Sequence, residues 1–194
     1  MDATASREHS WDTACHLQAQ MFEETGKLGG LQIQLCYYRG FNEFSAGTWC
    51  READQLRVQM TEVTCRGGRT QITRLLNHII AETKRDKVQA AVFVGDAFEE
   101  ETDRACDLAG QLGLLNVPVF VFQEGSNSRV KSVFQQIAKL SGGAWAPFNT
   151  DSPDQLRELL SAVAVYAAGG RKALADYSKK AGRDVQLLTR QIKE

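Results

Sequence analysis

Five side chains with hard oxygen donors stand where this chain could do chemistry. Asp2, Thr4 and Ser6 alternate along the first six residues, Thr70 follows a Gly67-Gly68-Arg69 loop, and Asp96 closes the apolar run from Val88 to Gly95. Carboxylates and hydroxyls suit an octahedral Mg²⁺ or Mn²⁺ that keeps some of its waters. Alternation in a tight turn lets three side chains point to one side. The paired glycines would let the second loop approach an ion closely, although two glycines also make an ordinary turn. Each group has a blander reading too: a polar terminus with a helix cap, an N-cap at Thr70, a turn-closing carboxylate at Asp96.

Other chemistries find less support. No Ser-His-Asp or Cys-His set falls at strand ends. There is no Gly-x-Gly-x-x-Gly, and the 67–70 loop lacks a phosphate-binding lysine. His9 and His16 lie seven apart without a third metal-type partner, and His78 sits within a helix pattern. Arg66 and Arg69 flank the second loop and read as solvated charges or as an attraction for an acidic ligand. Glu99-Glu100-Glu101 reads as the acidic first turn of a helix, suited to the positive end of the helix dipole, and its nearness to Asp96 disfavours an anionic substrate.

The elements that must position these groups follow from periodicity. The run 88–95 is nearly continuously apolar and β-branched at three positions, as a strand covered on both faces reads, so it is expected inside a parallel sheet with 117–122 beside it. Strand 31–38 alternates, with Leu31, Ile33, Leu35 and Tyr37 on one face, and is placed nearer the edge. The segment 39–47 reads as a turn-rich excursion, with Thr48-Trp49 as a short strand or a simple return. Helices are expected over 8–24, 52–60 and 72–81, in a stretch that starts at the Glu99-Glu100-Glu101 run, carries Ala105, Leu108, Ala109 and Leu112 and closes at Gly113, and over 130–140, with a last strand at 144–148. Ser152-Pro153 opens a further helix to Ala168, broken at Gly169-Gly170, and 171–194 reads as one or two helices around Gly182. The alternation of strand and helix from 31 onward predicts an α/β, three-layer Rossmann-like sandwich with a mainly parallel central sheet.

Composition bounds the rest. The chain has 194 residues, 23 basic against 24 acidic, and 43% hydrophobic residues. That near balance gives no case for nucleic acid or an anionic membrane as partner. No stretch approaches the roughly 18 apolar residues of a spanning helix and no signal segment opens the chain, so the expectation is a cytoplasmic protein. The five cysteines, Cys15, Cys36, Cys50, Cys65 and Cys106, are widely spaced and read as free thiols.

On these motifs the sequence resembles the von Willebrand factor A-like (VWA) domains. Their metal-ion-dependent adhesion site has an Asp-x-Ser-x-Ser loop, a threonine in a second loop and an aspartate after a central strand. Asp2-Ala3-Thr4-Ala5-Ser6, Gly67-Gly68-Arg69-Thr70 and Gly95-Asp96 look like these in the same order. The resemblance implies a VWA-like domain over 1–170 and a helical tail over 171–194. It implies a metal set of Asp2, Thr4, Ser6, Thr70 and Asp96, with Thr4, Ser6 and, in some states, Thr70 as direct ligands and the aspartates acting through waters. It implies a non-enzymatic module whose Mg²⁺ or Mn²⁺ binds an Asp or Glu of a protein partner. A weaker resemblance, through Asp2 and Gly95-Asp96, is to the haloacid-dehalogenase-like Mg-dependent phosphatases, with Lys84 or Lys87 as the phosphate-steadying group. A metal-free scaffolding domain is the third reading.

The family places an apolar strand directly before its first aspartate, where this sequence has Met1. A lane about one strand wide, with strands roughly 4.8 Å to either side, is therefore expected in the sheet. Three outcomes are open: the sheet closes up, the 183–192 tail inserts, or two chains pair across the gap. The site is expected to be incomplete or metal-free.

Overall fold

The computed structural model describes residues 2–3, 30–149 and 152–192. The expected helix over 8–24, with His9, Cys15 and His16, lies outside them, as do Thr4 and Ser6.

The order begins with a hairpin. Strand β1 (Ile33–Arg39) turns at Gly40, whose φ of +57° suits a residue without a side chain, into antiparallel β2 (Glu43–Cys50). The sequence suggested an excursion here instead. Apart from Thr48-Trp49, β2 is missed because it is an outer strand in which only Cys50 is buried, so neither alternation nor an apolar run marks it. Helices α1 (Ala53–Thr61) and α2 (Ile72–Arg85) follow, then β3 (Ala91–Gly95), α3 (Thr102–Leu114), β4 (Val119–Glu124), α4 (Ser128–Ser141) and β5 (Trp145–Phe148). Asn127 caps α4 by accepting from the amides of Arg129 and Val130 at 3.0 and 3.3 Å, and Gly142 ends it in the left-handed region. The chain finishes with α5 (Pro153–Ser178), kinked where Gly170 takes a non-helical φ of +67°, and α6 (Arg183–Thr189).

Strands β3, β4 and β5 form one parallel sheet in that order, while β1 and β2 form a separate pair. β3 and β4 are parallel neighbours, as expected. β3, however, is an edge of its sheet and β4 is central, which corrects the interior placement of 88–95. The reason is that, among the described residues, no strand fills the lane between β1 and β3.

The sheet is covered on both faces, and side chains alternate between them. Phe120 and Phe122 of β4 pack with Leu56 and Met60 of α1 and with Leu156, Leu159 and Val163 of α5. Val119 and Val121 face the other way, onto α2, α3 and α4 through Leu76, Leu112 and Phe134. Each fully buried phenylalanine of β4 contributes roughly 1.5–3 kcal/mol by leaving water. Leu174, Val185, Leu188 and Ile192 join the first of these clusters, so the C-terminal helices close that layer and the tail does not enter the lane. No helix among the described residues is long and apolar enough to cross a membrane.

Candidate metal centre

Asp2 lies at the carboxyl end of the lane. Its amide donates to the Val94 carbonyl of β3 at 3.1 Å, and the next amide, of Ala3, donates to the Tyr38 carbonyl of β1 at 3.0 Å. Asp2 pairs with Tyr38 as a parallel bridge and is 1% exposed. A two-residue extended segment thus ties both rims together at one end of the gap. The Ala3 carbonyl in turn accepts from the amide of Arg66, which brings the second loop alongside the first.

The Asp2 carboxylate is held from below. The Tyr38 hydroxyl donates to its Oδ2 at 3.1 Å. Burial pushes the Tyr38 phenol well above its ordinary value, and the charges of Asp2, Glu100 and Asp96 push the same way. Tyr38 therefore remains a neutral donor to Asp2. Asp96 follows β3 by one residue, and its Oδ1 is buried without a hydrogen-bond partner among the described residues.

Thr70 is 6% exposed and lies just before α2, whose N-cap is Gln71. Its hydroxyl is not the helix cap. It accepts from the amide of Glu99 at 3.0 Å, while its own amide donates to the Glu99 carboxylate at 3.3 Å. Glu100 supplies the cap: its carboxylate accepts from the amides of Ile72 and Thr73 and from the Thr73 hydroxyl. Here the sequence misleads. Helix α3 begins only at Thr102, so Glu99 and Glu100 belong to the preceding loop and grip the head of α2 rather than facing water from a first turn of α3.

Asp2, Thr70 and Asp96 thus stand on three loops at the carboxyl ends of the strands, the edge at which open α/β sheets bind ligands. Thr4 and Ser6 lie outside the described residues. Tyr38 is a contact the sequence did not single out, and Glu99 and Glu100 were read there only as the acidic start of a helix. Gly67 is open on all sides, whereas a side chain at Gly68 would meet the Gly40 carbonyl oxygen at 1.9 Å. The second glycine is therefore needed by the hairpin contact. Arg66 reaches Glu43 at 3.4 Å, so its charge is partly spent on the hairpin.

The donor chemistry fits a hard divalent cation. A buried carboxylate oxygen without a hydrogen is costly unless a positive group meets it, and at Asp96 Oδ1 no donor among the described residues does. The phosphatase reading fits less well. Lys87 donates to the carbonyls of Leu115 and Asn116 ahead of β4, at the amino ends of the strands, and Lys84 lies in the last turn of α2. Both are at the opposite edge from Asp96.

No family model matches the sequence, and no curated protein matches it either. Solved structures do. A von Willebrand factor type A protein from Catenulispora acidiphila superposes with a TM-score of 0.65 at 15% identity, over 82% of this chain and 40% of that one. The SpRpn10 VWA domain gives 0.61 at 15% identity, over 87% and 93%. Proximal thread matrix protein 1 from the mussel byssus, with a zinc-occupied MIDAS motif, gives 0.63 at 14% identity, over 84% and 44%. The chain thus spans less than half the length of the first and third of these. It has the fold of a von Willebrand factor A domain.

Proposed function

We propose that this chain is a protein-interaction module in which Asp2, Thr4, Ser6, Thr70 and Asp96 hold a divalent cation, Mg²⁺ or Mn²⁺, that receives an acidic side chain of a protein partner. The observation that carries the reading is the buried Asp96 Oδ1, without a donor among the described residues, at the same carboxyl edge of the sheet as Thr70 and Asp2. The zinc-occupied MIDAS motif of the structurally similar mussel-byssus protein supports a cation-binding reading. When bound, the ion would supply positive charge and an open coordination position. The protein's own part is to fix donors. Tyr38 orients the Asp2 carboxylate, and Glu99 holds the Thr70 hydroxyl by donating its amide to it.

Calorimetric titration of the chain with MgCl₂ and MnCl₂, followed by binding of a peptide with one exposed glutamate in the presence and absence of EDTA, tests the reading. Saturable cation binding and EDTA-sensitive peptide capture are expected. Absence of cation binding would leave the metal-free scaffolding domain in its place.

A further inference from the structure

The β1–β2 turn stands at the carboxyl edge, beside the loop that carries Thr70. The Gly40 carbonyl accepts the amide of Arg69 at 3.0 Å, and Arg69 adjoins Thr70 in the chain. The turn is braced from several sides. Arg74 donates to the Asn42 carbonyl at 2.9 Å, and the Gln71 side chain donates to the carbonyls of Arg39 and Glu43 at 3.3 and 3.4 Å. Gly68 packs against Gly40 so closely that a side chain there would meet its backbone. On this fixed turn Phe41 is 76% exposed. A braced backbone presents an aromatic ring without the ordering cost that a mobile loop incurs on binding.

Four arginines surround the turn: Arg39, Arg66, Arg69 and Arg74. Glu43 is the carboxylate that answers them, at 2.8 Å from Arg39 and 3.4 Å from Arg66. Their other partners are neutral: Arg39 donates to the Thr64 carbonyl at 2.8 Å, and Arg74 to the Asn42 carbonyl and to Gln71 Oε1 at 3.1 Å. Arg69 is exposed, with no ion pair among the described residues. The carboxylates of Glu99 and Glu100 are engaged by the amides of Thr70, Ile72 and Thr73. A lone exposed phenylalanine needs no explanation. Held rigid among guanidiniums in surplus, and hydrogen-bonded through Gly40 to the Thr70 loop, this one matches a segment that is both acidic and apolar. We propose that the β1–β2 turn is a recognition element for the protein partner: Phe41 packs on an apolar side chain of an acidic segment, and Arg66 and Arg69 meet the acids that flank it. The proposal rests on the cation reading for one step, that the same segment places its Asp or Glu on the ion; the contacts of the turn themselves need no ion.

The test uses the intact chain and a labelled peptide, acetyl-Gly-Glu-Leu-Glu-Asp-Leu-Gly-amide. One companion peptide has both leucines replaced by alanine. Fluorescence anisotropy in MgCl₂, at low and at high NaCl, gives peptide affinities, while calorimetry reads Mg²⁺ binding separately. Phe41→Ala and Arg69→Gln should each weaken the leucine peptide at least about fivefold. Phe41→Ala should leave the alanine peptide unaffected, Arg69→Gln should flatten the salt dependence, and both should keep the wild-type urea midpoint and Mg²⁺ affinity. Equal affinity of wild type and Phe41→Ala for the leucine peptide would overturn the proposal, as would the absence of saturable peptide binding by wild type. Capture of phosphatidylserine vesicles in place of the peptide, lost in both variants, would overturn it in favour of a membrane surface. Absence of Mg²⁺ binding with the Phe41 and Arg69 effects retained would overturn the cation reading alone and support the role of the turn.

Discussion

Thr70 and Glu99 hold each other by two hydrogen bonds, the Glu99 amide to the Thr70 hydroxyl at 3.0 Å and the Thr70 amide to the Glu99 carboxylate at 3.3 Å. One bond uses the side chain of Thr70 and the other uses that of Glu99, so the two residues can be perturbed separately. Thr70→Ala leaves the Glu99 amide without its acceptor and removes a candidate ligand; Thr70→Ser keeps both functions. The expected result is a loss of about 1 kcal/mol in chemical denaturation for the alanine variant. A clear weakening of Mg²⁺ binding by calorimetry should accompany it, with the serine variant close to wild type on both measures. Equal cation affinity in all three chains would remove Thr70 from the site.

Asp96→Asn separates the cation from the fold. The wild-type Oδ1 is buried without a donor among the described residues, so replacing the charged carboxylate by a neutral amide relieves a desolvation cost when no ion is present. Thermal unfolding in EDTA should show the variant at least as stable as wild type. Addition of Mg²⁺ should raise the melting temperature of wild type alone, because only a ligand that binds the folded state stabilises it.

The lane makes two sites on the same sheet respond differently to truncation. Phe122 is fully buried, and Phe122→Ala should cost about 3–5 kcal/mol. Val92 lines the lane and is only half-buried, so Val92→Ala should cost on the order of 1 kcal/mol, less than a strand covered on both edges would imply. Urea midpoints for the two variants give the comparison, and a larger loss at Val92 than at Phe122 would contradict the open lane.

Cys36 titrates late. Burial pushes its thiol up to about 11 from 9.0, so the folded state favours the neutral form. The stability tied to that thiol is present in full below about pH 9 and is lost as pH rises towards 11. Alkylation of Cys36 by iodoacetamide, followed by mass spectrometry, should be slow at pH 8 in the native protein and fast in urea. Rapid native alkylation at pH 8 would contradict the burial.

Much of the architecture was legible because buried elements carry strong signatures. The dense run of β4, the three-four spacing of Leu75, Leu76, Ile79 and Ile80, and the Gly142 stop all reflect burial or backbone geometry that composition cannot hide. β2 was illegible for the opposite reason: an exposed outer strand takes its shape from pairing with β1, and pairing leaves no periodicity. At the edge site, Asp2, Thr70 and Asp96 could be picked out by donor type. The clamp made by Glu99 and Glu100 could not, because it joins residues 27 to 29 positions apart through a loop whose boundary with α3 the acidic run disguises.

The divided sheet also bears on how the molecule opens. A continuous sheet passes hydrogen bonds from strand to strand and tends to unfold as a unit, but here, among the described residues, the β1–β2 pair is joined to β3 through backbone hydrogen bonds only by the Asp2–Ala3 bridge, and otherwise through side-chain packing beneath α1 and α2. The hairpin is therefore expected to behave as a separate cooperative unit, exchanging its amides through a sub-global opening whose free energy lies below that of the β3–β4–β5 body. Native-state hydrogen exchange in low urea should resolve two isotherms, the shallower one belonging to residues 33–50.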